Sequence, residues 1–316
     1  MNEDKQIFSK IGLNYILLAL IPIIFQIIFV NAISLIDFNL IKNTNIQILI
    51  SSLTNYIIVL PIFIYLMTKI KSVKMEKNRM KITQLLKYIC IAVVFMMIGN
   101  IVGNVITSFI GNMMTNEVIN PIEHLIENTN IYINLLIISI LAPIFEEIFF
   151  RKLLIDRTIR YGAKLSILLS ALMFALFHGN LSQFFYAFLL GGLFAYIYIE
   201  TGKIIYPIVI HGCVNFYGSV ASIIFNSATT NIAKTAGMAN IADITIIAIY
   251  LIALITALLI GLYEIFYNYN KIELNDSKRD IYLEKPSKTV LINAGMISFI
   301  LYHIIIIVIS LNIISI

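Results

Sequence analysis

Charge is what this sequence has least of. Of its 316 residues only 12% are Asp, Glu, Lys or Arg, while 60% are hydrophobic, and the mean hydropathy is +0.93. A soluble domain of this size has too little interior to hide so much apolar surface, so a soluble globular fold is excluded. Cysteine occurs twice, at Cys90 and Cys213, each within an apolar run. Two lone thiols exclude a disulfide framework and a CxxC metal site, and they read as packing residues. The strict polar–apolar alternation of transmembrane barrel strands is missing, and no internal repeat is visible. The net charge of +5 comes from loop lysines. In a membrane protein such lysines set orientation and meet lipid headgroups, and they do not point to nucleic acid.

What the sequence does have is long apolar runs, near 11–36, 46–70, 84–111, 131–151, 163–178, 183–200, 204–226, 243–268 and 289–315. About 20 apolar residues suffice to span a bilayer as a helix. The fold class is therefore all-α, a polytopic transmembrane helical bundle with about 8–9 transmembrane helices. The first run exceeds the ~7–15 residues of a signal-peptide core and reads as a retained helix. Three parts are expected: N-terminal helices over 1–130, a core over 131–226, and C-terminal helices over 227–316 with a polar loop at about 269–288. The Ile-, Asn- and Lys-heavy composition suggests an AT-rich bacterial genome.

Basic residues set the expected orientation. The 69–87 segment holds Lys69, Lys71, Lys74, Lys77, Arg79, Lys81 and Lys87 against a single Glu76, which places it in the cytoplasm. The 112–130 segment carries Glu117, Glu123 and Glu127 and no Lys or Arg, which fits the outside. The fourth helix then returns inward and ends in Arg151, Lys152, Arg157, Arg160 and Lys164. This assigns a multi-pass protein of the cell membrane with its N-terminus in the cytoplasm.

The stretch "LAPIFEEIFFRKLL" at 141–154 covers the end of the fourth run. A charge at mid-bilayer costs about 2.5–3.5 kcal/mol even on lenient insertion scales, so such groups face the protein interior or a wet cavity. Glu147 and Arg151 are four apart and can pair on one helix face. Glu146 points about 100° away and has no partner on its own helix. An unpaired carboxylate in that setting has the character of a general base; a structural Glu–Arg clasp is the alternative. "FALFHGN" (174–180) ends a short apolar helix in His178, with Phe174 one turn earlier. "PIVIHGCVNF" (207–216) puts His211 and Asn215 on one helical face. Counted from Ile204, His211 lies about 10 Å deep, and His178, counted from Ala163, about 22 Å deep. Of four histidines, His124 in the acidic loop and His303 in the last helix read as incidental.

"EEIFFR" (146–151), "FALFH" (174–178) and "HGCVN" (211–215) resemble the EExxxR, FxxxH and HxxxN motifs of the CPBP intramembrane proteases, the type II CAAX prenyl protease or Abi family. All three occur in the family's order. The resemblance implies an intramembrane endopeptidase whose site opens toward the cytosol. Carried over, Glu146 is the base that activates water, His178 holds that water or shares its proton, and His211 and Asn215 donate to the oxyanion. Glu147, Arg151 and Phe174 support the site. The family has also been described as metalloproteases, and Glu146, His178 and His211 have the donor types for a carboxylate–His₂ zinc set with an open position. No HExxH is present, and the reading favours a metal-independent mechanism that requires no cofactor, with zinc as the alternative.

The expected partners are membrane lipid and a peptide or protein substrate, either lipidated or a leader or pheromone peptide. Two other classes compete. One is a non-catalytic scaffold or bacteriocin-immunity protein of the same fold. The other is a proton-coupled transporter using the intramembrane carboxylate, although no pair of matching broken helices supports it.

Overall fold

The computed structural model describes residues 3–114, 125–234, 240–268 and 281–311. In lipid every backbone polar group must be satisfied within the protein, and each apolar run closes its hydrogen bonds on itself as a helix. In chain order these are α1 (Glu3–Ser34), α2 (Thr44–Thr68), α3 (Ile82–Met114), α4 (Ile131–Tyr161), α5 (Ala163–Phe177), α6 (Leu181–Thr201), α7 (Ile205–Lys234), α8 (Ile241–Asn268) and α9 (Ala294–Ser310). Seven are long and apolar enough to cross a membrane; α5 and α9 are shorter apolar helices. No strand occurs among the described residues. The protein is an all-α polytopic bundle, as its composition dictates.

α6 is the axis of the bundle, with α3 and α5 packed along it and α7 and part of α4 beside it. With little hydrophobic driving force between helices in lipid, close packing over small residues supplies the attraction. Gly99 and Gly103 of α3, four apart, meet the α6 backbone at Tyr186 and Ser182; a Cβ at either would overlap it. Gly12 of α1 meets Gly295 of α9 in the same manner, so the two ends of the chain pack on each other.

Several helices differ from their expected boundaries: α1 begins at Glu3 and α9 at Ala294, and α4 and α7 run on. α4 continues ten residues past Arg151, to Tyr161, because the cations expected to mark the membrane edge are satisfied by protein. Arg151 and Arg157 are buried, and Arg157 donates to the carbonyls of Met67 and Leu153 at 2.6 and 2.9 Å. α7 runs on through polar residues to Lys234. The 115–124 segment, with Glu117, Glu123 and His124, lies outside the described residues, as does most of the polar loop expected at about 269–288.

The basic 69–81 stretch gathers other chain segments at one end of the bundle. Val73 N–H donates to Asp156 O (2.6 Å) and Asn78 N–H to Thr201 O (2.8 Å), and the end of α4 itself accepts Ile281 N–H at Arg160 O (3.0 Å). Tyr161 O–H donates to Asp4 there at 2.9 Å. α5 rises from that end and has 15 residues, about 22 Å of helix. A hydrocarbon core is about 30 Å thick, so the turn that ends α5 falls within the bundle's span. Gly179 makes that turn at φ +66°, a conformation glycine adopts freely.

Candidate active site

α4 is built in alternating pitch. Wide π-helical turns at Asn134–Leu141 and Ile148–Leu153 flank an α-helical turn at Ala142–Glu147, the one that carries both glutamates. π turns recur at functional sites and leave carbonyls off the regular ladder. Here other helices satisfy them. Tyr15 O–H donates to Phe149 O (2.6 Å) and Ser170 O–H to Phe150 O (2.8 Å), while Asn215 Nδ2 donates to Ile138 O (2.9 Å). These bonds pin α4 against α1, α5 and α7.

Glu147 and Arg151 form the expected pair, Oε2 to Nε at 3.1 Å, and both side chains are wholly buried. The other oxygen of Glu147 accepts from His211 Nδ1 at 2.9 Å, so Glu147 also sets the second histidine. The Arg151 guanidinium donates to Gly191 O through Nη2 at 3.3 Å. It lies over the rings of Phe174 (4.4 Å) and Phe194 (5.3 Å), which stabilise a desolvated cation. Phe194 also stacks on His211 at 5.0 Å, and Phe174 meets His178 and His211 edge-on at 4.7 and 5.8 Å. Phe174 thereby links two histidines that start at different depths.

Glu146 faces elsewhere. It retains 31% side-chain exposure, with Oε2 3.7 Å from His211 Nε2, so water can reach it. Two cavities meet at this point. One, of about 330 Å³, is lined by Glu146, His178, His211, Asn215, Gln183 and Tyr186 among others. The second, of about 410 Å³, lies between α1, α2, α4 and α9 and includes Tyr56, Phe145 and His303 in its wall. Ala142, Glu146 and His178 belong to both. All four expected catalytic residues therefore share one cavity, which Phe174 also lines, and Glu147 and Arg151 lie directly behind it.

The anchoring bonds fix the histidine tautomers. His178 Nδ1 sits 2.8 Å from Phe174 O. A carbonyl only accepts, so Nδ1 carries the hydrogen and a neutral His178 offers Nε2 as an acceptor. His211, held by the Glu147 carboxylate, follows the same rule. That carboxylate support is also found behind metal-bound histidines. Yet among the described residues no three His, Cys, Asp or Glu side chains are grouped to hold a metal ion.

Reading the sequence alone missed Phe194, Gln183, Tyr186 and His303. None lies in a motif, and only the packing of α6 and α9 brings them to the cavities. His303, set aside as incidental, is buried, with Nδ1 on Phe299 O at 2.8 Å.

Residues 128–217 match the family model described as "Rce1-like: Type II CAAX prenyl endopeptidase Rce1-like". This bears out the resemblance drawn from the three motifs and covers the segment that carries them. Comparison with curated proteins and with solved structures found no match.

Proposed function

We propose that this protein is an intramembrane endopeptidase that hydrolyses peptide bonds with a glutamate-activated water. The observation that carries this reading is the meeting of Glu146 and His178 at the junction of two cavities, with His211 and Asn215 in the same wall. An extended peptide occupying both cavities presents a carbonyl at that junction. The match to type II CAAX prenyl endopeptidases supports the reaction class. The substrate is a peptide or protein segment at the membrane, lipidated or a leader or pheromone peptide.

The anchored tautomers suit the chemistry. A water between Glu146 and His178 meets two acceptors, the carboxylate and Nε2, which leave its oxygen lone pair facing the cavity. As that oxygen bonds to the carbonyl carbon, one proton passes to Glu146 and the C=O π pair moves onto oxygen. Asn215 donates its second amide hydrogen to this oxyanion. His211 adds a second donor, from Nε2, when its ring carries both protons. The oxyanion pair then re-forms C=O as the C–N bond breaks, and the proton on Glu146 goes to the leaving nitrogen. An amine leaves, and the new carboxylic acid passes its remaining water proton through His178 Nε2 to solvent and leaves as a carboxylate. Each donor to the oxyanion is worth on the order of 10²–10³ in rate. No step runs through a metal.

The basic end of the bundle faces the cytosol in this proposal. His211 is about 10 Å from that end of α7, which opens the site to the cytosolic side. The test is comparative peptidomics of cells producing wild type or Glu146→Ala at equal levels. Peptides that wild type alone generates are expected, and EDTA treatment of the purified metal-free protein is expected to leave their production unchanged. Identical peptidomes would leave a non-catalytic scaffold as the better reading. Cleavage abolished by EDTA and restored by zinc would replace the metal-free mechanism.

A further inference from the structure

The start of α6 carries a chain of polar side chains that neither the motifs nor the proposed mechanism uses. Its direction can be deduced one group at a time. Asn180 caps α6, and its Oδ1 accepts the backbone N–H of Gln183 at 2.9 Å. A backbone amide only donates, so the Asn180 oxygen is fixed on that side and its Nδ2 on the other. Nδ2 donates to His178 O at 3.0 Å and to Gln183 Oε1. That assigns the Gln183 amide in turn: its oxygen accepts from Asn180, and its Nε2 donates to the Tyr186 oxygen. The phenol oxygen is thus an acceptor in this bond, and its own hydrogen is left to point away from Gln183.

That hydrogen has one useful direction. Tyr186 lines the cavity with Glu146, His178, His211 and Asn215, and its ring centre is 6.4 Å from that of His178. Gly99 lets α3 lie directly against the Tyr186 backbone, which holds this part of α6 in place. Among the groups already assigned, the second amide hydrogen of Asn215 is the one donor that does not depend on ring charge. Both histidines are anchored through Nδ1, so Nε2 of either donates only when the ring is charged, and Asn215 has already given one amide hydrogen to Ile138 O. A neutral O–H would give the developing oxyanion a second donor independent of ring charge.

We infer that Tyr186 is a further catalytic residue, a hydrogen-bond donor to the oxyanion of the tetrahedral intermediate, and that Asn180 and Gln183 are positioning residues that turn its O–H into the cavity. The inference rests on the endopeptidase reading. As the water oxygen bonds to carbon and the carbonyl π pair moves to oxygen, Tyr186 strengthens its hydrogen bond to that oxygen and keeps its proton. An oxyanion donor acts mainly in the transition state, so its loss lowers kcat and leaves KM in place.

The experiment uses the full-length protein in proteoliposomes. The probe is the peptide most dependent on Glu146 in the peptidome comparison, made as an internally quenched substrate. Tyr186→Phe is expected to lower kcat on the order of 10²-fold with KM unchanged. Gln183→Glu supplies the second measurement. Its carboxylate only accepts, so Asn180 Nδ2 and the Tyr186 O–H both turn to it, and kcat is expected to fall as in Tyr186→Phe although the phenol is retained. The circular-dichroism melting temperature of each variant checks that the bundle is intact. Tyr186→Phe turning over within twofold of wild type would overturn the inference while leaving the endopeptidase reading standing, as would a loss confined to KM. Full kcat in Gln183→Glu would overturn the direction of the chain. Wild-type and Glu146→Ala peptidomes that match would overturn both the reaction class and this role.

Discussion

Arg151 is buried with no water to turn to, and everything around it answers that fact. Glu147 meets its charge, Gly191 O accepts one hydrogen, and two aromatic faces cover the guanidinium. Removing one partner of a buried ion pair leaves an uncompensated charge and costs about 3–5 kcal/mol, whereas replacing both by apolar groups is often neutral. Glu147→Gln is therefore expected to destabilise the bundle by about that amount, seen as a lowered melting temperature by circular dichroism in detergent. The double variant Glu147→Gln, Arg151→Met is expected to recover most of that stability but not the cleavage of a Glu146-dependent peptide, because the carboxylate that holds His211 Nδ1 is still missing. A double variant that regains activity would mean that Glu147 is structural only. Equal stability of wild type and the single variant would remove the argument for a charged, load-sharing pair.

The helices themselves were legible because an apolar run in lipid has one way to satisfy its backbone. Their ends were less so. Reading Arg151 as a membrane boundary stopped α4 ten residues early, since sequence does not distinguish a cation that meets solvent from one, such as Arg157, that meets the carbonyls of Met67 and Leu153. The three motifs pointed to the residues that the fold assembles, because charge and imidazole stand out against aliphatic neighbours. Tyr186 did not stand out among 17 tyrosines; its role depends on a cap at Asn180 and on the α3–α6 crossing. That crossing yields a prediction, with a glycine of α6 that faces α5 as its control. A Cβ at Gly99 would overlap the Tyr186 backbone, while one at Gly192 of α6 reaches only ordinary contact with Ala171 and Ile167, at 4.0 Å. Gly99→Ala is expected to cost about 1–3 kcal/mol through overpacking and to lower cleavage by displacing Tyr186. Gly192→Ala is expected to be neutral or to stabilise by about 0.5–1 kcal/mol, since alanine has less freedom to lose in a helix. Parallel melts of the two variants check this, and equal losses would show that the α3–α6 approach does not depend on the missing side chain.

At the scale of the whole molecule, the charge distribution and the depth of the site make one connected claim. The lysine-bearing 69–81 stretch bonds to the ends of α4 and α6, and the end of α4 bonds in turn to Ile281 and to Asp4, so a single end of the bundle collects the basic residues and the start of α1. Moving that end across a membrane would carry all those cations with it, and retention of Lys and Arg on the cytosolic side sets topology. The exposed turn at Asn39, beyond the far end of α1, then lies outside. In a background with Cys90→Ser and Cys213→Ser, a cysteine placed by Asn39→Cys is expected to react with an impermeant maleimide on intact cells. One placed by Lys77→Cys is expected to react only after the membrane is opened. The reverse pattern would put His211 and the mouth of the cavity on the other side, and the substrate would then have to be sought among exported peptides instead of cytosolic ones. Labelling of both positions on intact cells would mean two orientations coexist. A site built on one fixed cytosolic face is compatible only with the first outcome.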